Sequence, residues 1–556
     1  MKKLILYIIA ILSAVSVYGQ QAERIFVSTD RSVYIAGDQI WCSLFCIDKD
    51  SGKLSGYSAV SYLELVSSDG TAAVAKVGLL SGRGAGSFRI PSSTPTGNYR
   101  LMAYTAANTN ESGNAYLAGS KIVSIFNTTS SARVREGVRI VSDDEYEAMR
   151  KPREKADGPL DISMSTRVRK GSLFPLYIRN TGASEALFSL SVYNVDDIEE
   201  PAGQDFAGFL RRIRSEGPVK TSGNRLPEYD GEIVYAAVEG LEGKDAEDAS
   251  SSAVAILSSA GAPSNVYMGK VESDGKIVFY TNNIYGDREL VCEVFDRQGA
   301  EGYIGITDPF IHPSPGEVPE LVMAKSLGGS LVARKSSYAE SFPSDTLAEF
   351  LPVREDLLLS GIPKKTYHLD DYVRFHSVRE VVVEIIPELR VSKAHGGSVL
   401  QMIVQDPTLY RKNVLDNILI MIDGVAITDI DMLLGLDALL IKDVDIYKES
   451  MVMGKIVYNG MVNFITTNNY VSALKFSDNV RVVDFKGVSF PVAYTSDDSP
   501  RRRLLWWHPS MDIPARGEEK LQIAAPSYPG LFKLVAEGIS EQGETLREVL
   551  YFEVFE

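Results

Sequence analysis

Cysteine is nearly missing from this chain. It occurs three times in 556 residues, as Cys42, Cys46 and Cys292. So sparse a set excludes a disulfide scaffold. Cys42 and Cys46 stand four apart in QIWCSLFCID, which reads as one strand. Four strand steps span about 13 Å, against the roughly 7 Å between Cα atoms that a disulfide tolerates. Both are expected unpaired on one face, and all three as small buried apolar groups. Histidine is scarce too: His312, His368, His376, His395 and His508 show no HExxH or other ligand-like spacing. His368 and His376 flank DDYVRF, where Asp370 or Asp371 could complete a weak metal site, but surface or packing roles are the default. No GxSxG elbow and no Cys–His pair offers hydrolase machinery. Basic charge is also short. The net charge is −16, and removing Lys2 and Lys3 with a cleaved leader makes it −18. Such a chain repels nucleic acid and anionic membrane surfaces. Arg501 to Arg503 is the one basic cluster, read as a solvated loop.

Long apolar runs are absent after the N-terminus. Lys2 and Lys3 precede an apolar stretch, Leu4 to Val17, broken only by Ser13 and Ser16. Val17 and Gly19 then supply small residues at the −3 and −1 positions of a signal-peptidase site, so cleavage is expected before Gln20. The run is shorter than the roughly 20 residues of a membrane span. No cysteine follows it, which argues against a lipoprotein anchor. The expected location is the periplasm, in association with the outer membrane.

What is present reads as short strands between turn residues, the pattern of β-sandwiches. Three stretches repeat a strand, a Pro/Gly or Asn/Gly turn and a second strand: SFRIPSSTPTGNYRLMAY (87–104), GKIVFYTNNIYGDRELVCEVF (275–295) and LQIAAPSYPGLFKLVAEG (521–538). Each turn ends in a glycine (Gly97, Gly286, Gly530), a residue that tolerates positive φ. GRGAG, with Gly82, Gly84 and Gly86, precedes a strand instead of a helix, so it reads as a tight turn and not a phosphate loop. At roughly 100–200 residues per domain, three to five domains are expected.

The first stretch, ERIFVSTDRSVYIAGDQIWCSLFCID, carries Asp30, Tyr34, Gly37 and Asp38 and is followed by GAGSFRIP and GNYRLMAY. It resembles the macroglobulin (MG) domain, an immunoglobulin-like sandwich. Protease-trapping macroglobulins use a thioester in a Cys-Gly-Glu-Gln setting. That motif is absent here, so covalent trapping is not expected. Further on, HLDDYVRFHSVREVVVEIIPELRV holds a helix with Ser377 and Glu380 as a capping box. Val381, Val382, Ile385 and Ile386 give it an apolar face, and Pro387 stops it. Asp423-Gly424 between apolar runs signals a two-residue hairpin. Asp443 and Asp445 then alternate with Val444 and Ile446, and Gly460 opens a last strand ending at Thr466. That order resembles the plug domain of TonB-dependent outer-membrane receptors. Gln405-Asp406 replaces the usual Arg-Gly, and no TonB-box-like segment is visible. Only 86 residues follow position 470, too few for a receptor barrel of about 22 strands.

The expected fold class is therefore mainly β: several immunoglobulin-like/macroglobulin-type β-sandwiches plus one small α+β plug-like domain. Its divisions are a signal peptide (1–19), a macroglobulin-like sandwich (20–130), a helical linker (131–158), a second sandwich (159–228), a carboxypeptidase-regulatory-like sandwich (229–310), a linker (311–365), the plug-like domain (366–470) and a C-terminal sandwich (471–556). Together these resemble a family of exported Bacteroidetes-type envelope proteins. The resemblance implies a non-enzymatic binding protein with no cofactor and no bound metal, whose plug-like domain engages a separate outer-membrane β-barrel. A structural or adhesive role is the alternative. Partner-binding candidates are Asp423, Gly424, Asp443, Asp445, Gly460, and the adjacent pair Trp506 and Trp507, of which one should be core and one a surface anchor. Asp196, Asp197, Glu199 and Glu200, and Asp429 with Asp431, lack a full calcium-loop pattern and read as solvated turns.

Overall fold

The computed structural model describes residues 22–111, 113, 115–129, 134–150, 158–195, 198–223, 225–239, 253–260, 265–272, 274–295, 303–327, 348–350, 363, 365–394, 396–406, 411–453, 456–468, 474–477, 479–495 and 503–556. The expected signal peptide lies outside them, as do Asp196, Asp197, His395, Arg501 and Arg502. The chain is mainly β. It divides into two compact units: residues 1–231, 310–353 and 488–556 form one, and 232–309 with 354–487 form the other.

The first unit holds two sandwiches. In the first, strands Glu23–Thr29, Gln39–Asp48 and Arg83–Arg89 make one layer. Strands Val33–Ile35, Val60–Ser67, Gly70–Leu80, Gly97–Tyr104 and Lys121–Phe126 make the other. Gly70–Leu80 pairs with strands of both layers. Cys42, Leu44 and Cys46 point the same way into the core, and neither cysteine is bonded to the other. The Asp30–Asp38 motif closes a bend beside that core. Arg31 reaches Asp30 at 2.7 Å and Asp38 at 2.9 Å, while Tyr34 Oη donates to Asp30 at 2.8 Å. Burial pushes the Asp30 carboxyl above its usual range, and the Arg31 charge opposes that push. Gly37, at φ +103°, makes the turn between them. In GRGAG, Gly82 sits in the hairpin turn at φ +79°. A Cβ there would lie 2.6 Å from the Ser55 carbonyl.

The second sandwich is discontinuous. Leu160–Met164, Leu173–Asn180 and Glu518–Ala524 form one sheet. In the other, Ala186–Asn194 lies between Leu504–Ile513 and Gly530–Ser540, and Thr545–Phe555 follows. The expectation separated 159–228 from 471–556; the structure instead joins their strands around one core that includes Phe188, Leu190, Leu505, Phe532, Leu534 and Phe552. Between the two sandwiches lies helix Phe206–Ser215. Its Phe206, Phe209, Leu210 and Ile213 pack with Phe26 and Phe45, and Asp205 caps it by accepting from the Gly208 N–H. This helix falls in a stretch expected to be sandwich.

The stretches expected as linkers also carry structure. The helix expected in 131–158 is present as Asp143–Met149, capped by Ser142; not expected is a strand pair, Val138–Val141 parallel to Leu321–Ala324. Only one of the three repeat glycines, Gly286, has positive φ (+75°). Gly97 and Gly530 instead begin strands where a Cβ would approach Arg135 and Asn194.

In the second unit, seven strands pair in one sheet, from Tyr303–Ile306 at one edge to Val480–Phe485 at the other. That last strand comes from the stretch expected in a C-terminal sandwich. An α+β module follows the order anticipated for 366–470, and its geometry defines the site.

Candidate functional site

Five strands form the module's main sheet, in the order Lys365–His368, Ile441–Tyr447, Met461–Thr466, Leu419–Ile422, Val425–Ala426. One face is dry. Val444, Ile446, Val462, Phe464, Ile420 and Ile422 pack with helix Val378–Glu384 and helix Ile430–Leu434. Ser377 and Glu380 form a full capping box on the first helix, and Val381, Val382 and Ile386 are buried as anticipated.

The opposite face is split along its length. Its apolar half, with Leu419, Met421, Ala426, Tyr447 and Met461, packs on Ile256 and Val266 of the seven-stranded sheet and on Met453 and Tyr458 of the paired strands Met451–Met453 and Ile456–Tyr458. Two polar contacts fix that seam: the Ala426 N–H donates to Ser258 Oγ at 3.1 Å, and Thr428 donates to the Glu293 carboxylate. Burial raises Glu293 above the usual carboxyl range, and the Thr428 bond opposes it. The polar half carries Thr366, His368, Asp443, Asp445 and Asn463. His368 Nδ1 lies 2.8 Å from Asp443, and Thr366 Oγ1 donates to Asp445 at 2.6 Å. Asp443 is nearly covered while His368 is open to solvent. The hydrogen bond and charge of Asp443 raise the His368 pKa. Asp445 is raised as well, first by burial, with Thr366 opposing and Asp443 adding repulsion.

The structure brings only some of the candidates together. Asp443 and Asp445 do share the polar face, against Val444 and Ile446 on the core face. Asp423 and Gly424 form the hairpin turn at φ +47° and +79°. Asp423 is turned inward, where it accepts from the Thr466 N–H at 2.7 Å and from Thr466 Oγ1 at 2.6 Å. Gly460 adopts φ +136° against Met402 and the Tyr447 carbonyl, which leaves no room for a Cβ. These three positions build the module and present nothing outward. Trp506 and Trp507 belong to the first unit and not to the module's unit. Trp507 is buried against Trp41, with ring centroids 5.6 Å apart, and Trp506 is half-buried against the second sandwich's core. Neither is the exposed anchor that was expected.

Sequence reasoning missed His368 and Thr366 as partners of the two aspartates, because the pairing joins strands about 75 residues apart. His368 turns to Asp443 and not to Asp370 or Asp371. Among the described residues, no group of three His, Cys, Asp or Glu side chains could hold a metal ion. Glu200 accepts from Tyr193 and pairs with Lys533 at 2.6 Å. Asp429 caps its helix, and Asp431 accepts from the Ser398 N–H. No helix among the described residues is long and apolar enough to cross a membrane.

No family model matches the chain. No curated protein matches it either. Solved structures similar to it include the trypsin-activated alpha-2-macroglobulin of Escherichia coli, at 9% identity and TM-score 0.25 over 96% of this chain and 42% of that one. The methylamine-reacted alpha-2-macroglobulin of Salmonella is similar at 9% identity and TM-score 0.24, over 96% and 40%. Dimeric latent PorU from Porphyromonas gingivalis aligns at 10% identity and TM-score 0.16, over 52% and 33%. The chain thus spans about two fifths of the length of the macroglobulins. Likeness of this size transfers no role. The class defined by the fold itself is a mainly β, multi-sandwich chain carrying one α+β module.

Proposed function

We propose that this chain is a non-enzymatic, exported binding protein whose α+β module engages a separate outer-membrane β-barrel at its mouth. The observation that carries this reading is the polar half-face of the module: His368, Asp443, Asp445, Thr366 and Asn463 lie on one surface. Such a surface suits the wet, polar interior of a barrel and would be costly against lipid. Contact at the mouth is favoured over full insertion because the other half of the same face is packed on the chain's own seven-stranded sheet. That packing also favours the second reading, a structural or adhesive envelope protein in which the module serves as a brace.

The test is affinity purification of the tagged full-length chain from mildly solubilised envelopes of its source organism, with mass spectrometry of what co-purifies. A barrel protein should be recovered by the wild type and lost with His368→Ala/Asp445→Lys, provided both proteins melt alike. If the wild type recovers no barrel, or the double variant recovers it equally well, the structural reading replaces this one.

A further inference from the structure

The outer face of the first sandwich is covered by an irregular segment, residues 310–320, and the way it is held is unusual. Almost every polar contact comes from a sandwich side chain and ends on a backbone atom of the segment. Glu64 Oε1 accepts the N–H groups of Ile311 and His312, both at 3.1 Å. Arg100 Nε donates to the Pro315 carbonyl at 2.6 Å, and its Nη2 donates to the Glu317 carbonyl. Asn98 Nδ2 donates to the Pro319 carbonyl at 3.1 Å. Two side chains of the segment are read as well. Phe310 packs edge-on to Tyr62 with centroids 5.8 Å apart, and His312 Nδ1 lies 3.2 Å from Thr71 Oγ1 and 3.4 Å from Glu64. The readers sit on neighbouring strands, Val60–Ser67 and Gly97–Tyr104, where Tyr62 stands opposite Tyr104 and Glu64 opposite Met102.

This is how an extended peptide is recognised: backbone contacts supply affinity and an aromatic pocket sets register. Pro313, Pro315 and Pro319 suit it, since proline has no N–H to satisfy and keeps the chain extended. Two features make the segment displaceable. Half of the donors on Glu64, Tyr104 Oη at 2.6 Å and Thr71 Oγ1 at 2.9 Å, belong to the sandwich and would remain when the segment left. The carboxylate would then regain water instead of being stranded dry. His312 is also held at φ +46°, a strained conformation for a non-glycine residue that persists only while its surroundings enforce it.

We propose that the outer face formed by Tyr62, Glu64, Asn98, Arg100 and Tyr104 is a receptor for an extended, proline-containing peptide with a leading aromatic residue, and that segment 310–320 occupies it in cis as a displaceable strap. Release of the strap opens the site to a peptide of the same chemistry on a partner. This does not depend on the barrel reading, and its test needs purified protein alone.

The test uses the full-length chain with Phe310→Ser and Ile311→Pro, which remove the ring and one N–H held by Glu64. Release is read by cleavage after Glu317 with a glutamate-specific protease. A fluorescent peptide of wild-type sequence 309–320 is the probe. The released variant should be cut faster than wild type and bind the peptide saturably, whereas wild type, already occupied, should not bind it. Adding Arg100→Met should weaken binding about tenfold or more, as loss of hydrogen bonds from a charged group does. Asn98→Ala serves in its place if Arg100→Met lowers the melting temperature. The proposal is overturned if the variant is cut no faster, if the released variant fails to bind, or if wild type binds equally well.

Discussion

His368 and Asp443 form a pair whose two partners differ sharply in exposure, so the pair is a test of single-residue electrostatics. Asp443 holds the His368 imidazolium and raises its pKa above the unfolded value of about 6.5. A raised folded pKa means the folded state binds the proton more tightly. The stabilisation is fully present below about pH 6.5 and is lost as pH rises through the higher folded value. The melting-temperature advantage of wild type over His368→Gln should therefore be largest near pH 6 and shrink toward alkaline pH. A flat difference, or one that grows with pH, would show that the pair is not charged in the fold. None of this was legible in the sequence, where His368 stood nearest to Asp370 and Asp371. Local reading served better for the cysteines, because the facing of Cys42 and Cys46 follows from strand period alone. For the tryptophan pair alternation gave that one of the two turns inward, but not which, nor that the first sandwich would supply Trp41 as the neighbour of Trp507.

At the scale of elements, the features that were readable are those whose causes are local. The Ser377–Glu380 capping box lies within four residues, and the Asp423-Gly424 turn within two. The same turn shows what local reading leaves out. Asp423 also binds Thr466, and the Gly424 N–H donates to Asn463 Oδ1 at 3.0 Å, both on a strand about forty residues later. Gly424 at φ +79° is therefore doubly constrained. Gly424→Val should lower stability by about 2 kcal/mol or more, because β-branched residues avoid this region. Gly424→Asn should cost less, since asparagine enters the left-handed region more readily. Urea denaturation of both variants checks the order, and a valine variant as stable as wild type would mean the turn carries no strain. Helix Phe206–Ser215 was missed although its signal was present. Asp205 precedes apolar residues at 206, 209, 210 and 213, the spacing of one helical face. The flanking strand patterns drew that stretch into a sandwich it only abuts.

For the whole molecule, the hardest feature to read was which strands share a core. Alternation tells which side of a strand is buried, not which other strand covers it, and the partners of Ala186–Asn194 lie more than 300 residues away. The second unit is inserted as two stretches, 232–309 and 354–487, into a first unit whose second sandwich cannot close until residue 555 is made. The sandwich expected at 159–228 should then be unable to fold without the C-terminal strands. Removing residues 491–556 strips Ala186–Asn194 of neighbours on both edges and exposes Phe188, Leu190 and Val192. It also removes Leu505, Met511, Ile523, Phe532, Leu534 and Phe552 from the same core. At about 1.5–3 kcal/mol for each large apolar side chain, six such losses come to roughly 10 kcal/mol or more, comparable with the whole stability of a domain. The cut removes no described strand of the second unit, since Val480–Phe485, the last of them in sequence, is retained. Hydrogen exchange on a chain ending at 490 should accordingly show strands 160–164, 173–180 and 186–194 unprotected while 419–422, 441–447 and 461–466 remain protected. Protection of 186–194 in that shortened chain would mean the sandwich closes on its own, as the sequence first suggested. Loss of protection in both regions would mean the second unit depends on the first for its fold.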